Sequence, residues 1–171
     1  MDVSHKGEGV DQLKDIIDQI NNDPTSRRMI MSAWNPCQLD EMCLPPCHVL
    51  YQFYVRIDNE GNKHLSCQMY QRSGDMFLGI PFNIASTSAL TYIISHMTNC
   101  QPDRVIINIG DAHVYSEHIN AVKKQLDRVP FEFPKLRILG SPKDKIEDYK
   151  IDDFVIENYK NQGTISAPMI A

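Results

Sequence analysis

The chain has 171 residues, of which 42% are apolar and 23% charged, a balance typical of a folded globular protein. Its 22 acidic residues outnumber 17 basic ones, and the net charge of −5 argues against a broad surface for DNA or an anionic membrane. No apolar run is long enough to span a bilayer, and Met1 to Lys6 lack the apolar core of a signal peptide. We therefore expect one domain over residues 1–171.

The cysteines indicate a reducing, cytoplasmic setting, with nuclear or mitochondrial pools also compatible, because their number is odd and they lack the spacing of a disulfide framework. They are Cys37, Cys43, Cys47, Cys67 and Cys100. A zinc site around residues 37–48 is the alternative, but the gaps fit no structural zinc pattern. We expect no metal, and ordinary thiols with one reactive member.

The predicted elements begin with an amphipathic helix over residues 10–21, which Asn22 to Pro24 ends. Its apolar face comprises Val10, Leu13, Ile16, Ile17 and Ile20. An apolar strand follows at 29–34. A hairpin is predicted next, with strands at 48–57 and 65–72 joined by a turn at 58–62.

The second half of the chain begins with a predicted turn at 73–75 and a linking loop that ends at 79–81. A largely apolar helix is predicted over 82–97 and is expected to be centrally buried. A strand at 104–109, a helix at about 116–127 and strands at 135–139 and 153–156 follow, with a polar tail at 157–171. Hairpins mixed with long helices predict an α+β fold, a mixed β-sheet backed by helices.

The segment Leu44 to His48 holds a cysteine behind two prolines, immediately before the predicted strand. Two adjacent prolines fix φ and remove two backbone donors, so the chain reaches Cys47 stiff and extended. A thiol at such a rigid position is well placed to be a nucleophile when a positive group is near. A buried structural thiol is the alternative.

Four segments place polar side chains at strand ends or in tight turns. They are Arg27-Arg28, Pro46 to His48, Gln71 to Asp75 together with Asn83, and Gly110 to Tyr115. Arginine binds phosphate in a bidentate fashion, and serine adds a short donor. The inventory therefore favours a phosphorylated small molecule, and an arginine beside the thiol would favour the thiolate.

Each segment also has a structural interpretation. Arg27-Arg28 alone is typical of a solvated surface pair, and Asn83 at a helix start is typical of an N-cap. His113 and Tyr115, which alternate along an extended segment, are typical of packing residues with one satisfied polar tip. Spacing alone does not show that the four segments converge.

Read as strings, the same segments resemble the thymidylate synthase family. Leu44 to His48, followed by Gln52 to Val55, resembles its active-site cysteine loop. Tyr70 to Asp75 and Leu78 to Ser86 resemble its phosphate and pyrimidine segment. Further agreement is found at Gly110 to Tyr115 and Phe133 to Leu136. The similarity runs from about Gly7 to the C-terminus.

The resemblance implies a thymidylate synthase fold, a two-fold dimer through the sheet, and methylation of dUMP to dTMP. In this reaction 5,10-methylenetetrahydrofolate donates both carbon and hydride, and leaves as dihydrofolate. Cys47 would add to C6 of uracil and make C5 nucleophilic, a case of covalent catalysis. Reduced folate and dUMP are the implied partners, with a fused or associated dihydrofolate reductase and neither membrane nor DNA.

The remaining roles are also implied by the resemblance. Arg27 and Arg28 would reach the phosphate of the partner subunit, and His48 would join the water network around the base. Asn83 would read uracil, because an amide donates to O4 and accepts from N3–H whereas cytosine presents the reverse. An acidic residue there would suit a deoxycytidylate hydroxymethylase. The residues implied to contact dUMP are Arg72, Ser73, Gly74, Asp75, Asn83, His113, Val114 and Tyr115.

The folate would contact Asp75 and Ile170, the latter in the terminal segment Ala167 to Ala171, which resembles the family's closing tail. Thr87-Ser88 and Ile170 depart from the common pattern. We expect the chain to be the C-terminal major portion of the family fold, truncated at its N-terminus. Further elements would ordinarily supply another phosphate-binding arginine, a glutamate, a tyrosine and aromatic walls for folate. The alternative is a non-catalytic relative that keeps dimerisation or weak nucleotide binding.

Overall fold

The computed structural model describes residues 9–170. The prediction that Met1 to Lys6 lack the core of a signal peptide therefore concerns residues outside the described part. Helix α1 spans Gln12–Asn22 and begins where the side chain of Asp11 accepts a hydrogen bond of 3.0 Å from the backbone N–H of Lys14. Ile16 and Ile20 are fully buried on its inner face, which confirms the predicted amphipathic helix. Val10 was wrongly included in that face, because it precedes the helix and is 74% exposed.

A four-stranded mixed sheet forms the centre of the fold. Its strands are β1 (Ile30–Ser32), β2 (His48–Ile57), β3 (Lys63–Asp75) and β4 (Gln101–His113), in that spatial order. β1 and β3 each pair antiparallel with β2, whereas β4 pairs parallel with β3. The parallel pair requires a crossover, and helix α2 (Gly79–Met97) supplies it. These elements confirm the predicted α+β class with a mixed sheet backed by helices.

The core lies between the sheet and helices α1 and α2. Odd-numbered residues of β2 and β3 face it, as the alternation of a strand requires. The buried cluster consists of Ile16, Ile20, Met29, Phe53, Val55, Leu65, Cys67 and Ile94. Helix α2 contributes one face only, since Phe82 is 75% exposed and Ile84 is 49% exposed. The prediction of a centrally buried helix was therefore wrong for the face that carries Phe82 and Ile84.

The opposite face of the sheet is not covered by any described element. It carries exposed side chains from all four strands, including Ile30, Tyr54, Tyr70 and Ile106. Register places Ile30 beside Gln52, Gln52 beside Gln68 and Gln68 beside Ile106, so one row of this face runs across the sheet. The predicted two-fold dimer through the sheet stays a prediction.

Three predicted boundaries were wrong. Strand β4 extends beyond the predicted 104–109 at both ends. Residues 73–75 belong to β3 rather than to a turn, because they pair with Asp111 to His113 of β4. Residues 79–81 form the first turn of α2, where a proline is tolerated because its missing N–H has no partner within the helix anyway. For the same reason Asn83 is not an N-cap: it lies one turn inside the helix.

The C-terminal third packs around this unit. A 3₁₀ turn at Ser116–His118 leads into helix α3 (Ile119–Leu126), and strands β5 (Lys135–Ile138) and β6 (Phe154–Glu157) pair antiparallel in a separate two-stranded sheet. Residues 158–170 contain no helix or strand. We call residues 158–170 the tail.

Among the residues that the structure describes, no helix combines the length and apolarity needed to cross a membrane.

Candidate active site

Most segments with predicted site residues meet at one end of the four-stranded sheet. The start of β2 lies beside the end of β3, with His48 opposite Gln71. The end of β3 lies beside the end of β4, with Asp75 opposite His113. Helix α2 begins four residues after β3 ends. We call this region the site end of the sheet.

Arg72 holds the double proline that precedes Cys47. Its Nε donates to the carbonyl of Pro46 at 3.1 Å, and its Nη2 donates to the carbonyl of Pro45 at 2.7 Å. The backbone N–H of Arg72 also donates to the carbonyl of Cys47 at 2.9 Å. Since a guanidinium has five N–H groups, three remain for an anion. Cys47 is a free, partly buried cysteine, and its backbone is therefore fixed to β3 on both sides.

A bulge in β2 follows Cys47 directly. The register shifts between His48 and Leu50, so Val49 is the extra residue. Bulges occur frequently beside active sites because they redirect a side chain. The His48 ring stacks on Tyr51 with centroids 6.4 Å apart, and its Nε2 is buried without a hydrogen-bond partner among the described residues. Burial lowers the pKa of His48, which favours the neutral imidazole.

Gln71 fixes the orientation of the Asn83 amide. The Nε2 of Gln71 donates to the backbone carbonyl of Ser73 at 2.9 Å. Because a carbonyl only accepts, the nitrogen of the Gln71 amide, and not its oxygen, must lie at this position. The same Nε2 donates to Oδ1 of Asn83, also at 2.9 Å. Asn83 therefore keeps both Nδ2 protons and one lone pair of Oδ1 for a ligand. Gln71 itself is only 3% exposed.

Asp75 connects the end of β3 to the start of α2. Its two carboxylate oxygens accept hydrogen bonds from the backbone N–H groups of Phe77 at 3.0 Å and Leu78 at 3.3 Å. A carboxylate is favourable at this position because the N-terminus of a helix carries partial positive charge. Asp75 thus has a structural role in addition to any contact with a ligand.

His113 is the last residue of β4, and Tyr115 follows it by two positions. Their rings meet edge to face with centroids 5.1 Å apart, and Nδ1 of His113 lies 3.3 Å from Oδ1 of Asp111. Val114 between them is exposed. Ser73 pairs with Asp111 two residues inward, and Gly74 is buried beside Ile80. All five predicted contact residues on β3 and β4 thus lie at the site end: Arg72, Ser73, Gly74, Asp75 and His113.

Arg27 and Arg28 are not at the site end. They are exposed in the loop before β1, and the adjacent Met29 accepts a hydrogen bond from the backbone N–H of Phe53 at 2.9 Å. Cys47 and Phe53 are six residues apart along β2, which corresponds to roughly 20 Å. The chain's own arginine pair therefore lies far from its own Cys47.

The tail is attached near the site end by three hydrogen bonds. Gln162 donates to the carbonyl of Val129 at 2.6 Å, Arg128 donates to the carbonyl of Gly163 at 2.8 Å, and His118 is bonded to the carbonyl of Pro168 at 2.7 Å. A cavity of about 480 Å³ lies between the tail, α3 and the start of α2. Its lining includes Phe77, Leu78, Arg128, Phe131, Gln162 and Ile165. Ile170 is partly buried at the end of this tail.

No group of three or more His, Cys, Asp or Glu side chains that could hold a metal ion is found among residues 9–170. Cys37 and Cys43, which the zinc alternative required, are exposed free thiols.

Sequence reasoning assigned no role to Gln71 or His118. Gln71 had a usable signal, since it occupies the buried phase of β3 after Leu65, Cys67 and Met69. A polar residue at such a position has to be hydrogen-bonded or functional. His118 carries no such signal, because its burial depends on the tail, which lies fifty residues further along the chain.

Fold and site together define an α+β protein that gathers a cysteine, an arginine fork and an oriented amide at one end of a mixed sheet. The sequence model of the family described as thymidylate synthase matches residues 2–171. The chain belongs to the thymidylate synthase family, which confirms the resemblance.

Similar proteins agree with this assignment. The chain is 53% identical over 169 residues to thymidylate synthase of Homo sapiens, an overlap that covers 99% of this chain and 52% of the human protein. It is 50% identical to thymidylate synthase of Equine herpesvirus 2, covering 96% of the chain and 55% of the viral protein. It is 51% identical to the bifunctional dihydrofolate reductase-thymidylate synthase of Plasmodium chabaudi, covering 100% of the chain and 28% of that protein. The chain spans about half the length of the curated thymidylate synthases it matches.

Proposed function

We propose that the protein carries out the thymidylate synthase reaction, in which deoxyuridine monophosphate is methylated at C5. The co-substrate 5,10-methylenetetrahydrofolate supplies both the carbon and the hydride and leaves as dihydrofolate. The observation that carries the proposal is that Arg72 holds the Cys47 loop at the sheet end where Asn83 presents its amide. A nucleophile, an anion donor and a base-reading group are thereby within one site.

Cys47 is the nucleophile in this proposal. Its sulfur adds to C6 of the uracil ring, and the electron density that reaches C5 lets that carbon attack the methylene group of the folate. Loss of the C5 proton then breaks the bond between the methylene carbon and the folate nitrogen and leaves an exocyclic methylene on C5. Hydride transfer from the released tetrahydrofolate to that carbon completes the methyl group and gives dihydrofolate, as the C6–S bond breaks and frees the thiolate. The covalent intermediate divides one difficult substitution into easier steps. The rigid double proline and the Arg72 contacts support this role, because a fixed nucleophile loses little entropy on attack.

Asn83 selects uracil. With Oδ1 held toward Gln71, its Nδ2 donates to O4, and the free lone pair of Oδ1 accepts from N3–H. Cytosine presents a donor where uracil presents O4, so it would leave both groups unsatisfied. A site with buried polar groups discriminates strongly against a ligand that cannot pair them.

The phosphate is bound by Arg72 and Ser73 of one chain and by Arg27 and Arg28 of a second copy. The distance of roughly 20 Å along β2 keeps Arg27 and Arg28 away from the Cys47 of their own chain, and the uncovered sheet face provides a surface for a two-fold partner.

His113 and Tyr115 hold the deoxyribose hydroxyl, and His48 joins the water network around the base. Gly74 and Val114 line the nucleotide. Folate contacts Asp75, which is hydrogen-bonded to the cavity-lining residues Phe77 and Leu78, and Ile170 at the end of the tail.

A dihydrofolate reductase, fused or associated, is part of the proposal because the reaction consumes a reduced folate and yields dihydrofolate. The Plasmodium chabaudi relative is named as a fusion of the two activities. We also propose a cytoplasmic setting, on the grounds of the five free cysteines.

A covalent adduct tests the proposal. The chain is incubated with 5-fluoro-deoxyuridylate and 5,10-methylenetetrahydrofolate, because fluorine at C5 cannot leave as a proton does and the complex stalls after carbon transfer. Intact mass spectrometry is expected to show both ligands added, and peptide mapping to place them on Cys47. Cys47→Ala should abolish the adduct, whereas Cys43→Ser, which alters an exposed thiol four residues away, should not. A folded chain that forms no adduct, but still binds dUMP or dimerises, would establish the non-catalytic alternative.

Mixing two inactive variants tests the shared phosphate site. Cys47→Ala removes the nucleophile, and the double variant Arg27→Ala/Arg28→Ala removes the arginine pair. In a mixed dimer, one site receives an intact Cys47 from one chain and intact arginines from the other. The mixture is therefore expected to form an adduct that neither variant forms alone. An adduct in the arginine variant by itself would show that the pair is not needed.

A further inference from the structure

His118 is a fully buried titratable side chain that has no part in the proposed reaction. Its exposure is 0%, and it follows Tyr115 by one 3₁₀ turn in which its backbone N–H donates to the carbonyl of Tyr115 at 3.0 Å. A fully buried imidazole is costly unless its nitrogens have partners. The partners of its two nitrogens therefore indicate what the residue does.

The Nε2 atom of His118 lies 2.7 Å from the carbonyl oxygen of Pro168. A carbonyl only accepts, so Nε2 carries the proton and donates it to the tail. The Nδ1 atom has no hydrogen-bond partner among the described residues and lies 3.8 Å from Oδ1 of Asp75, whose carboxylate accepts from the backbone N–H groups just before α2.

The faces of the same ring contact the proposed nucleotide site. Tyr115, proposed to hold the deoxyribose, meets His118 nearly perpendicularly with centroids 5.6 Å apart. On another side, the ring of Phe77 has its centroid 5.4 Å from that of His118. The backbone N–H of Phe77 donates to Asp75. His118 therefore contacts the tail, the start of α2 and the sugar-binding pair with one rigid group.

The other two attachments of the tail are different in kind. The hydrogen bonds from Arg128 and from Gln162 both lie at the exposed surface, where water competes for the same carbonyls. The bond from His118 comes from a fully buried donor and is the one nearest Ile170. Its loss leaves the Pro168 carbonyl without this donor.

We propose that His118 is the positioning residue that couples the seating of the tail to the nucleotide site. The proposal rests on the proposed function, in which the tail closes beside folate. With a proton on Nε2, His118 holds Pro168, and its ring keeps Tyr115 and Phe77 in place. Seating of the tail and orientation of the sugar-binding pair thereby depend on the same imidazole.

Four variants separate this role from simple packing. His118→Phe keeps a ring but removes the donor. His118→Gln carries its amide nitrogen near the position of Nε2 and should retain the bond to Pro168, whereas His118→Asn is too short to reach it. His96→Phe is the matched control, because His96 is a partly buried histidine whose Nδ1 is bonded to the hydroxyl of Tyr149 at 2.8 Å, away from the tail.

Hydrogen exchange of residues 158–170 in the full chain is the first measurement. His118→Phe and His118→Asn are expected to raise tail exchange roughly tenfold, in line with the loss of one buried hydrogen bond, while His118→Gln stays near the wild type. His96→Phe should leave the tail unchanged. Equal exchange in wild type and His118→Asn, or no rescue by His118→Gln, would overturn the proposal even if His118→Phe does not fold.

Kinetics with the adduct-forming protein is the second measurement. In His118→Asn the KM for the folate is expected to rise roughly tenfold, and dUMP affinity is expected to fall as well because the same ring holds Tyr115, whereas His96→Phe should change neither. An unchanged folate KM in a protein that forms the Cys47 adduct would overturn the coupling. A wild-type chain that forms no adduct would instead defeat the proposed function, and the tail exchange measurement would still decide the role of His118.

Discussion

The two ends of the four-stranded sheet differ in how completely their polar side chains are hydrogen-bonded. At the hairpin end, Asp58 accepts hydrogen bonds from the backbone of Glu60 and Asn62, from the side chain of Asn62 and from His64. At the site end, three buried side-chain atoms have no partner among the described residues: His48 Nε2, Gln71 Oε1 and His118 Nδ1. Two further atoms of this kind, Thr87 Oγ1 and Ser95 Oγ, lie within α2. Since each such atom costs about 1–3 kcal/mol, the three at the site end indicate that stability was not the only constraint there.

The largest effect is expected from Arg72, which joins the two strands of the site end. Arg72→Lys removes the fork that holds Pro45 and Pro46, because an ammonium cannot donate to both carbonyls in that geometry. Adduct formation on Cys47 should slow by about 100-fold or more, given charge-assisted hydrogen bonds worth about 1.5–3 kcal/mol each. The rate is followed by mass spectrometry.

Arg137→Lys is the control for this prediction. Arg137 is an exposed arginine of β5 that pairs with Glu157 at 3.0 Å, and its replacement should leave the rate unchanged. Equal rates for Arg72→Lys and wild type would show that the fork does not position the thiol.

An intermediate effect is expected from Gln71→Glu. The new carboxylate would oppose the Ser73 carbonyl and Oδ1 of Asn83, so the Asn83 amide should turn its Nδ2 inward and present Oδ1 to the ligand. The preference for dUMP over deoxycytidine monophosphate should therefore fall by roughly tenfold or more. Calorimetric titration with both nucleotides measures the ratio. Gln101→Glu, at the exposed hairpin end of β4, should leave it unchanged, and an unaltered ratio in Gln71→Glu would refute the orientation argument.

The smallest effect on function is expected at the hairpin end. Asp58→Asn should increase hydrogen exchange in residues 56–65 without slowing adduct formation. Hydrogen bonds from His64 and then from Asn62 lower the pKa of Asp58 well below its ordinary value of 3.8. A carboxyl group with a depressed pKa contributes stability above its unfolded pKa and loses it as the pH falls through the folded one.

Hairpin protection should therefore be constant at neutral pH and decline as the pH falls below about 4, where the unfolded carboxyl begins to bind its proton. Exchange profiles of wild type and Asp58→Asn should converge in acid. A variant whose exchange increase extends to residues 71–75 would mean that the two ends of the sheet are coupled.

The sequence predicted elements wherever a local pattern decides the structure. The alternation in β2 and β3 and the apolar face of α1 are such patterns, and both were confirmed. Residues 73–75 were mispredicted because Gly74 looks like a turn residue. Its actual role is close packing: a Cβ at Gly74 would lie 2.7 Å from Cδ1 of Ile80 and 3.2 Å from Cγ2 of Ile109, so both side chains would have to shift. Contacts of this kind between distant residues leave no local signal.

The site was predictable to a similar degree. The motif segments identify Cys47, Arg72 and Asn83, and the structure brings these together. It could not be read from the sequence that Gln71 orients Asn83, or that His118 reaches Pro168, because each depends on how two elements meet. Arg27 and Arg28 illustrate the converse, since their motif is evident but their distance from Cys47 appears only in the fold.

Parallel pairing of β3 with β4 also constrains the order in which the chain can fold. The β2–β3 hairpin closes a five-residue loop, whereas Asp75 meets His113 only after the 37 residues between them, including α2, are in position. Closing the longer loop costs more entropy and is slower. We expect the hairpin to form early and β4 to join late, so that until then the β4-facing edge of β3 is an unprotected template for pairing between chains.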